Sequence, residues 1–124
     1  MTSKKDKIIV TTGTFDPLSS DDLYMLQRCR SKGDLLVVGL HSDLWLTYTQ
    51  GGFVQDYEAR RDILLGLRCV DEVFTFNDGD GTVCQLLKLV KICYPTSEIT
   101  YVSDMDMFNM PETKIPGIIF ETFK

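Results

Sequence analysis

The stretch that decides the fold is TTGTFDPLSSDDLYMLQRC, residues 11–29. The apolar run KIIVTTG leads into it, ends in a glycine and is typical of a buried strand. SSDDLYMLQRCRSKG then predicts a helix, because either serine can cap the first turn and the two aspartates suit the positive end of the helix dipole. A strand that passes through a glycine turn into a helix indicates the start of an α/β unit.

The rest of the chain continues this alternation. Further strands are predicted at DLLVVGLHSD, DEVFTF, EITYVSD and GIIFETF, and further helices at DYEARRDILLGLRCV and DGTVCQLLKLVKICYP. We interpret LWLTYTQGGFVQD as a loop, so that Trp45, Tyr48 and Phe53 either cover a pocket or form a partner surface. The pattern predicts an α/β fold, a Rossmann-like open parallel sheet of about five strands with helices on both faces.

The composition narrows the class of protein. With 124 residues, 44% hydrophobic and 25% charged, we expect a single domain. No apolar run is long enough to span a membrane and no signal segment precedes the first strand, so we expect a cytoplasmic protein without membrane partners. The net charge of -5 disfavours a nucleic-acid partner. Four cysteines without CxxC spacing and a single histidine disfavour a metal site and predict buried free thiols.

Ligands of open parallel sheets bind at the carboxyl ends of the strands, near the point where the strand order reverses. The segments to inspect are therefore residues 11–16, 40–43, 76–81 and 103–106. At the first of them, Gly13 allows close approach of the backbone, and the following amides can form an anion cradle. Many such turns carry a glycine for conformational reasons alone, so this signal is weak by itself.

A longer pattern is more specific. VTTGTFDPLSSDDLYMLQRCRSKGDLLVVGLHSD resembles the cytidylyltransferase family of nucleotidyltransferases, in particular the glycerol-3-phosphate cytidylyltransferases, whose pattern is GTFD-x-x-H-x-G-H followed by GD-x-L-V-V-x-x-x-[ST]-D. YEARRDILLGLRCVDEV resembles the family segments YE-x-R and R-x-VDEV. The resemblance implies attack of a phosphorylated alcohol on the α-phosphorus of CTP, giving a CDP-alcohol and pyrophosphate, with catalysis by positioning and charge stabilisation.

The chain departs from the family where the phosphates would bind. The two family histidines align with Ser19 and Asp22, and the glycine between them aligns with Asp21. Serine donates without charge, whereas an ionised aspartate only accepts hydrogen bonds. Two like charges about 4 Å apart cost about 4 kcal/mol at a near-surface dielectric constant. We therefore treat Ser19 and Asp22 as degenerate catalytic positions and assign no catalytic residue.

The acidic residues have two interpretations. One of Asp21 and Asp22 could join Asp16 around Mg²⁺ that accompanies a bound nucleotide. The favoured interpretation is that SSDD stabilises a helix start without a ligand. No resident cofactor or metal is predicted.

Two later family elements also differ. The phosphate-binding lysine expected after the second strand has no counterpart in LWLTYTQGGFVQD, and the family segment G-D-D-W appears as SDMDM, where Asp104 matches. The family then has a further strand and an R-T-x-G-I-S-T segment. GIIFETFK is either that strand or, aligned as KIPGIIFET, a degenerate form of the segment. We favour the strand, so that residues 1–124 form one domain that ends before the last family motif.

The residues left to bind a nucleotide are few. Phe15 is expected in the core, and His41 is either a substitute phosphate contact or a loop-edge histidine. The resemblance implies that Arg60 and Arg68 support the site and its dimer neighbourhood, although each could also be a solvated or ion-paired residue. The full candidate set is Gly13, Thr14, Phe15, Asp16, His41, Arg60, Arg68 and Asp104.

Three functions follow from these observations. We favour a catalytically inactive homologue with a binding or assembly role. The alternatives are an active nucleotidyltransferase with a rearranged site that uses Mg²⁺ and Asp16, and a nucleotide sensor without turnover. The partners implied are CTP or another nucleotide, a second copy in a homodimer, and a protein partner.

Overall fold

A computed structural model of the chain describes residues 6–103 and 110–123. The strands are β1 Lys7–Gly13, β2 Leu35–Leu40, β3 Glu72–Thr75, β4 Glu98–Ser103 and β5 Ile118–Thr122. The α-helices are α1 Ser20–Arg30, α2 Asp43–Gln50, α3 Tyr57–Leu65 and α4 Cys84–Cys93, and a short 3-10 helix spans Pro111–Lys114. No helix within these residues has the length and apolar character needed to cross a membrane.

The five strands form one parallel sheet in the order β3-β2-β1-β4-β5. In β1, Gly13 pairs with Leu40 of β2, whereas Lys7 pairs with Glu98 of β4. From β1 the chain first builds the sheet outward through β2 and β3 on one side, and then returns to the other side of β1 to form β4 and β5. The switch point therefore lies between β1 and β4. The predicted open parallel sheet is confirmed.

Helices cover both faces of the sheet because successive side chains of a strand point to opposite sides. Ile8 and Val10 pack in one core with Leu86 and Leu87 of α4. The intervening Ile9 packs in the second core with Leu26 of α1, which also contains Leu64 of α3. Buried strands with apolar residues on both faces are typical of a doubly covered parallel sheet.

The predicted loop after the second strand is wrong for residues 43–50, which form α2. The Ser42 hydroxyl accepts a hydrogen bond from the backbone N–H of Trp45 at 3.1 Å and caps the helix start. Gly51, with φ of 78°, ends the helix in the left-handed conformation. Trp45 and Tyr48 therefore lie on a helix, and Phe53 follows it.

The final segment of the described chain is a strand, as we favoured. β5 pairs in parallel with β4, from Ile118 opposite Ile99 to Thr122 opposite Ser103. The alternative alignment, in which KIPGIIFET is a phosphate-binding loop, does not fit this pairing.

The prediction of buried thiols holds for two of the four cysteines. Cys29 and Cys69 are buried, and burial raises the pKa of the Cys29 thiol to about 11. Cys84 is half-buried and Cys93 is exposed at the last residue of α4.

Candidate functional site

A cleft of about 490 Å³ opens at the carboxyl ends of β1 and β4. It lies at the switch point of the sheet, where the sequence predicted that a ligand would bind, beside the first and last of the four candidate segments. The lining consists of Thr11, Thr12, Gly13, Thr14, Phe15, Asp16, Pro17, Asp21, Asp22, Met25, Gln50, Tyr101, Val102, Ser103 and Phe123. Four of the eight candidate residues, Gly13 to Asp16, therefore lie together in it.

Among the described residues, the charged side chains that line this cleft are carboxylates. Asp16 comes from the turn after β1, and Asp21 and Asp22 come from the first turn of α1. Within the described part of the chain, no lysine, arginine or histidine contributes to the lining. A cleft with this lining disfavours an anion and favours a neutral or cationic group.

The two degenerate positions, Ser19 and Asp22, lie at the start of α1. The Ser19 hydroxyl accepts from the backbone N–H of Asp22 at 3.1 Å, and the Asp22 carboxylate accepts from the backbone N–H of Ser19 at 3.0 Å. This is a reciprocal capping box. The interpretation of SSDD as a stabilising helix start is confirmed, with Ser19 as the cap.

Asp16 has a structural bonding pattern. Its two carboxylate oxygens accept hydrogen bonds from the backbone N–H groups of Val54 and Gln55 at 2.7 and 2.6 Å. The side chain thereby ties the segment between α2 and α3 to the end of β1. Sequence reasoning did not find this role, because the partners lie 38 and 39 residues away.

The described acidic residues of the cleft form no assembled metal site by themselves, and Mg²⁺ bound together with a nucleotide stays a prediction. Both carboxylate oxygens of Asp16 and one of Asp22 accept a backbone hydrogen bond, whereas Asp21 accepts none within the described part of the chain. Among the residues that the structure describes, no group of three histidine, cysteine, aspartate or glutamate side chains is arranged to hold a metal ion.

The ring of Phe15 occupies the space above Gly13. A Cβ atom at Gly13 would lie 2.7 Å from Cζ of that ring, closer than real Cβ contacts. Phe15 itself has a φ of 48° and is 5% exposed, in the core with α1. The glycine thus permits the close approach of an aromatic ring of the chain itself, and the core assignment of Phe15 is confirmed.

Arg60 is a buried structural cation. The residue is 1% exposed, and its side chain donates to the backbone carbonyls of Thr14, His41 and Gln55 at 3.1, 2.8 and 3.0 Å. It also pairs with the carboxylate of Asp43 at 2.8 Å. These contacts join the ends of β1 and β2 to the starts of α2 and α3, and Arg60 is not among the residues that line the cleft.

His41 faces a second network at the end of β2. Its Nδ1 lies 3.0 Å from the Asp78 carboxylate, and its ring stacks on Trp45 with centroids 4.5 Å apart. Burial lowers the pKa of His41, and this effect outweighs the opposing hydrogen bond and charge of Asp78. The neutral ring therefore donates from Nδ1 to Asp78, and it does not line the cleft.

Asp78 connects this network to the start of α2. Burial alone would raise the pKa of Asp78, but hydrogen bonds from the Ser42 backbone N–H, from His41 and from the Ser42 hydroxyl outweigh burial and lower it. The distances from Ser42 to the carboxylate are 2.9 Å for both the amide and the hydroxyl. An ionised Asp78 thus holds the residue that caps α2.

The remaining candidates lie elsewhere. Arg68 lines a separate depression beside Gln27, Arg30 and Gly66, at the ends of α1 and α3. Asp104 lies outside the described residues. The sequence analysis did not include Tyr101 in the cleft, where its hydroxyl lies 2.8 Å from that of Thr12. The available signal was its position two residues before the end of β4.

The fold and the position of the cleft agree with a comparison against protein families. A family model described as cytidylyltransferase-like matches residues 10–115. This chain belongs to the cytidylyltransferase-like family. The resemblance on which the sequence analysis relied is therefore confirmed over most of its length.

Curated proteins related to this family member include the bifunctional protein HldE of Helicobacter hepaticus, 36% identical over 90 residues, or 71% of this chain and 18% of that protein. The bifunctional protein HldE of Sulfurimonas denitrificans is 38% identical over 87 residues, or 68% of this chain and 18% of that protein. The chain spans less than a fifth of the length of these relatives.

A solved structure gives the same fold. The lipopolysaccharide core biosynthesis protein from Thermoplasma volcanium superposes with a TM-score of 0.74, at 19% identity, over 96% of this chain and 97% of that one. At this level of identity, the likeness concerns the fold of the family and not the reaction.

Proposed function

We propose that this domain is a catalytically inactive member of the cytidylyltransferase-like family with a binding or assembly role. The observation that carries the proposal is the charged lining of the cleft, which comes from Asp16, Asp21 and Asp22 without a cationic side chain among the described residues. Nucleotidyl transfer depends on donors and cations placed around the developing charge of the phosphates.

The repulsion between the cleft carboxylates and a phosphate group is large enough to decide whether a nucleotide binds. One carboxylate about 4 Å from a phosphate charge opposes binding by about 4 kcal/mol at a near-surface dielectric constant. Asp21 and Asp22 both belong to the first turn of α1, where the helix dipole alone would attract an anion by about 1 kcal/mol or less. The repulsion is therefore the larger of the two effects.

The motif residues that this chain keeps have structural contacts that account for their presence. Gly13 makes room for the Phe15 ring, Asp16 binds two backbone amides, and Arg60 binds three carbonyls and a carboxylate. These contacts maintain the turns around the cleft whether or not a nucleotide binds. They support the view that the scaffold persists without the chemistry.

The proposal is tested by measuring pyrophosphate release. The protein is incubated with CTP or ATP, Mg²⁺, and glycerol 3-phosphate or sugar phosphates as acceptors, beside an active family member as a positive control. We expect no release above the rate without protein. Release that scales with protein concentration and survives repurification would establish the alternative, an active transferase with a rearranged site.

The nucleotide-sensor alternative is tested separately, because nucleotide binding without pyrophosphate release would favour it.

The homodimer implied by the resemblance also stays a prediction. Light scattering of the purified chain measures its mass in solution directly.

A further inference from the structure

A second depression, of about 550 Å³, lies between α4 and the segment 111–116. Its lining comprises Cys84, Lys88, Lys91, Ile92, Pro111, Lys114, Ile115 and Pro116. We call it the lysine groove. It shares no lining residue with the cleft, so its properties do not depend on the function proposed above.

One wall of the groove is a single face of α4. Lys88, Lys91 and Ile92 are spaced as i, i+3 and i+4, which places them side by side on the helix surface. The other wall is formed by Pro111–Lys114 and the two residues that follow. The surface between the lysines is apolar, and Ile92 is 75% exposed.

The charge of the groove is opposite to that of the chain. The protein has 18 acidic and 13 basic residues, yet the charged side chains that line the groove are all lysines among the residues the structure describes. Lys88 and Lys114 are exposed and, within residues 6–103 and 110–123, take part in no ion pair. No ion pair of the described residues holds either lysine, so both can pair with a partner. Asp80, whose pKa is lowered by hydrogen bonds from Thr82 and also by the charge of Lys88, is the nearby acid with which a partner carboxylate would compete.

The two walls are held together by specific contacts. The buried carboxylate of Glu112 accepts from the backbone N–H of Val83 at 2.9 Å, where no side chain of α4 caps the helix. Across the groove, the ammonium of Lys91 donates to the Pro116 carbonyl at 2.5 Å. The groove is thus formed before a partner binds, which lowers the entropy cost of binding.

We propose that the lysine groove binds an acidic peptide segment of a partner protein, with a large apolar side chain flanked by carboxylates. The apolar side chain packs on Ile92 and Ile115, and the flanking carboxylates pair with Lys88 and Lys114. The face of α4 from Cys84 to Ile92 is about 12 Å long, which an extended segment of about four residues matches.

Charge complementarity and the apolar surface together select this occupant. A nucleic acid needs a larger cluster of cations than three lysines on a chain of net charge -5. A small inorganic anion would use the lysines but leave the apolar surface exposed. A second copy of the chain would cover the groove only in a stable oligomer, which a mass measurement detects.

The test is fluorescence anisotropy of the full chain with a fluorescein-labelled peptide in which glutamates flank a central phenylalanine. We expect saturable binding that weakens as salt rises, because the paired charges are at the surface. Combining Lys88→Glu with Lys114→Glu should weaken binding at least about tenfold. Lys88→Glu alone should already weaken binding, and Arg61→Glu is the control for that single reversal; Arg61 is exposed on α3 outside the groove, and we expect binding within about twofold of the parent.

Two further peptides separate the contributions of charge and apolar surface. Serine in place of the phenylalanine should weaken binding about tenfold, and lysines in place of the glutamates should abolish it. Should a charge reversal unfold the chain, Lys88→Gln with Lys114→Gln tests the same contacts, with an expected loss of about threefold.

Any of several results would overturn the proposal. These are no saturable binding at low salt, equal binding by the charge-reversed and parent proteins, equal affinity for the serine peptide, and a dimer dissociated by Ile92→Asp. Competition by inorganic phosphate at equal molar concentration would likewise indicate a simple anion site.

Discussion

The Asp22 carboxylate and the Ser19 hydroxyl each accept a hydrogen bond from the other residue's backbone N–H, at 3.0 and 3.1 Å. These are the two positions that the family pattern aligns with its histidines. In this chain they bond to each other and begin α1, so the side chains at these two positions contribute to helix stability.

Removing the cap should destabilise the fold. Ser19→Ala loses the acceptor for the Asp22 amide, and we expect the free energy of unfolding to fall by about 1 kcal/mol. Urea unfolding followed by circular dichroism measures the change. Ser20→Ala, at the first residue of α1, is the control and should lie within about 0.5 kcal/mol of the parent. Equal effects of the two substitutions would contradict the capping role.

Arg60 and Arg61 give a matched pair on α3. Arg60→Met leaves three backbone carbonyls and the Asp43 carboxylate without their donor, so we expect a loss of about 3 kcal/mol or an unfolded chain. Arg61→Met removes an exposed side chain and should cost less than about 0.5 kcal/mol. Thermal and urea unfolding measure both, and a tolerated Arg60→Met would show that these contacts are dispensable.

Gly13 is required by the Phe15 ring, which lies where a larger side chain would extend. Gly13→Ala would place a methyl group 2.7 Å from the ring, and the shift needed to relieve this contact should cost about 1–3 kcal/mol without any ligand present. Gly66→Ala is the control, since its nearest neighbour would lie 3.4 Å away. An unchanged unfolding midpoint for Gly13→Ala would contradict this role.

Because of His41, we expect the protein to lose stability as the pH falls. Its pKa is lowered in the folded chain by burial, whereas the unfolded chain has the ordinary value of about 6.5. Between these two values the unfolded state binds more protons, so the free energy of unfolding falls as the pH drops below about 6.5. The lowered pKa of Asp78 adds a second loss below its ordinary value of about 3.9.

The chain has one histidine, which makes the test specific. Urea unfolding of untagged protein between about pH 7.5 and 5.5 should show a slope that His41→Gln removes. Nuclear magnetic resonance of the imidazole should give a pKa below about 6.5. A slope that persists in His41→Gln, or a raised imidazole pKa, would contradict the assignment.

The sequence predicted the sheet, the helices around it and the position of the cleft, because those depend on local periodicity and on the order of strands. It missed α2, whose segment has two threonines and no lysine or arginine, although Ser42 before Asp43 and the glycine at 51 are the signals of a helix start and end. The position of Trp45 depends on a tertiary contact, the stacking of its ring on His41.

The roles of the retained motif residues could not be predicted in the same way. Arg60 and Asp16 bind backbone groups between 5 and 46 residues away along the chain, and only the folded arrangement brings them together. The lysine groove likewise joins α4 to a segment more than 15 residues later, so its three lysines look dispersed in the sequence.

The central claim is that the carboxylate-lined cleft does not hold a nucleoside triphosphate. Its most direct test is thermal unfolding of the purified chain with millimolar CTP or ATP, with and without Mg²⁺, and with the Asp21→Asn variant beside the parent. We predict an unchanged midpoint for the parent. A nucleotide at 100 times its dissociation constant would add about 2.7 kcal/mol, and a midpoint raised by several degrees in the parent would contradict the claim.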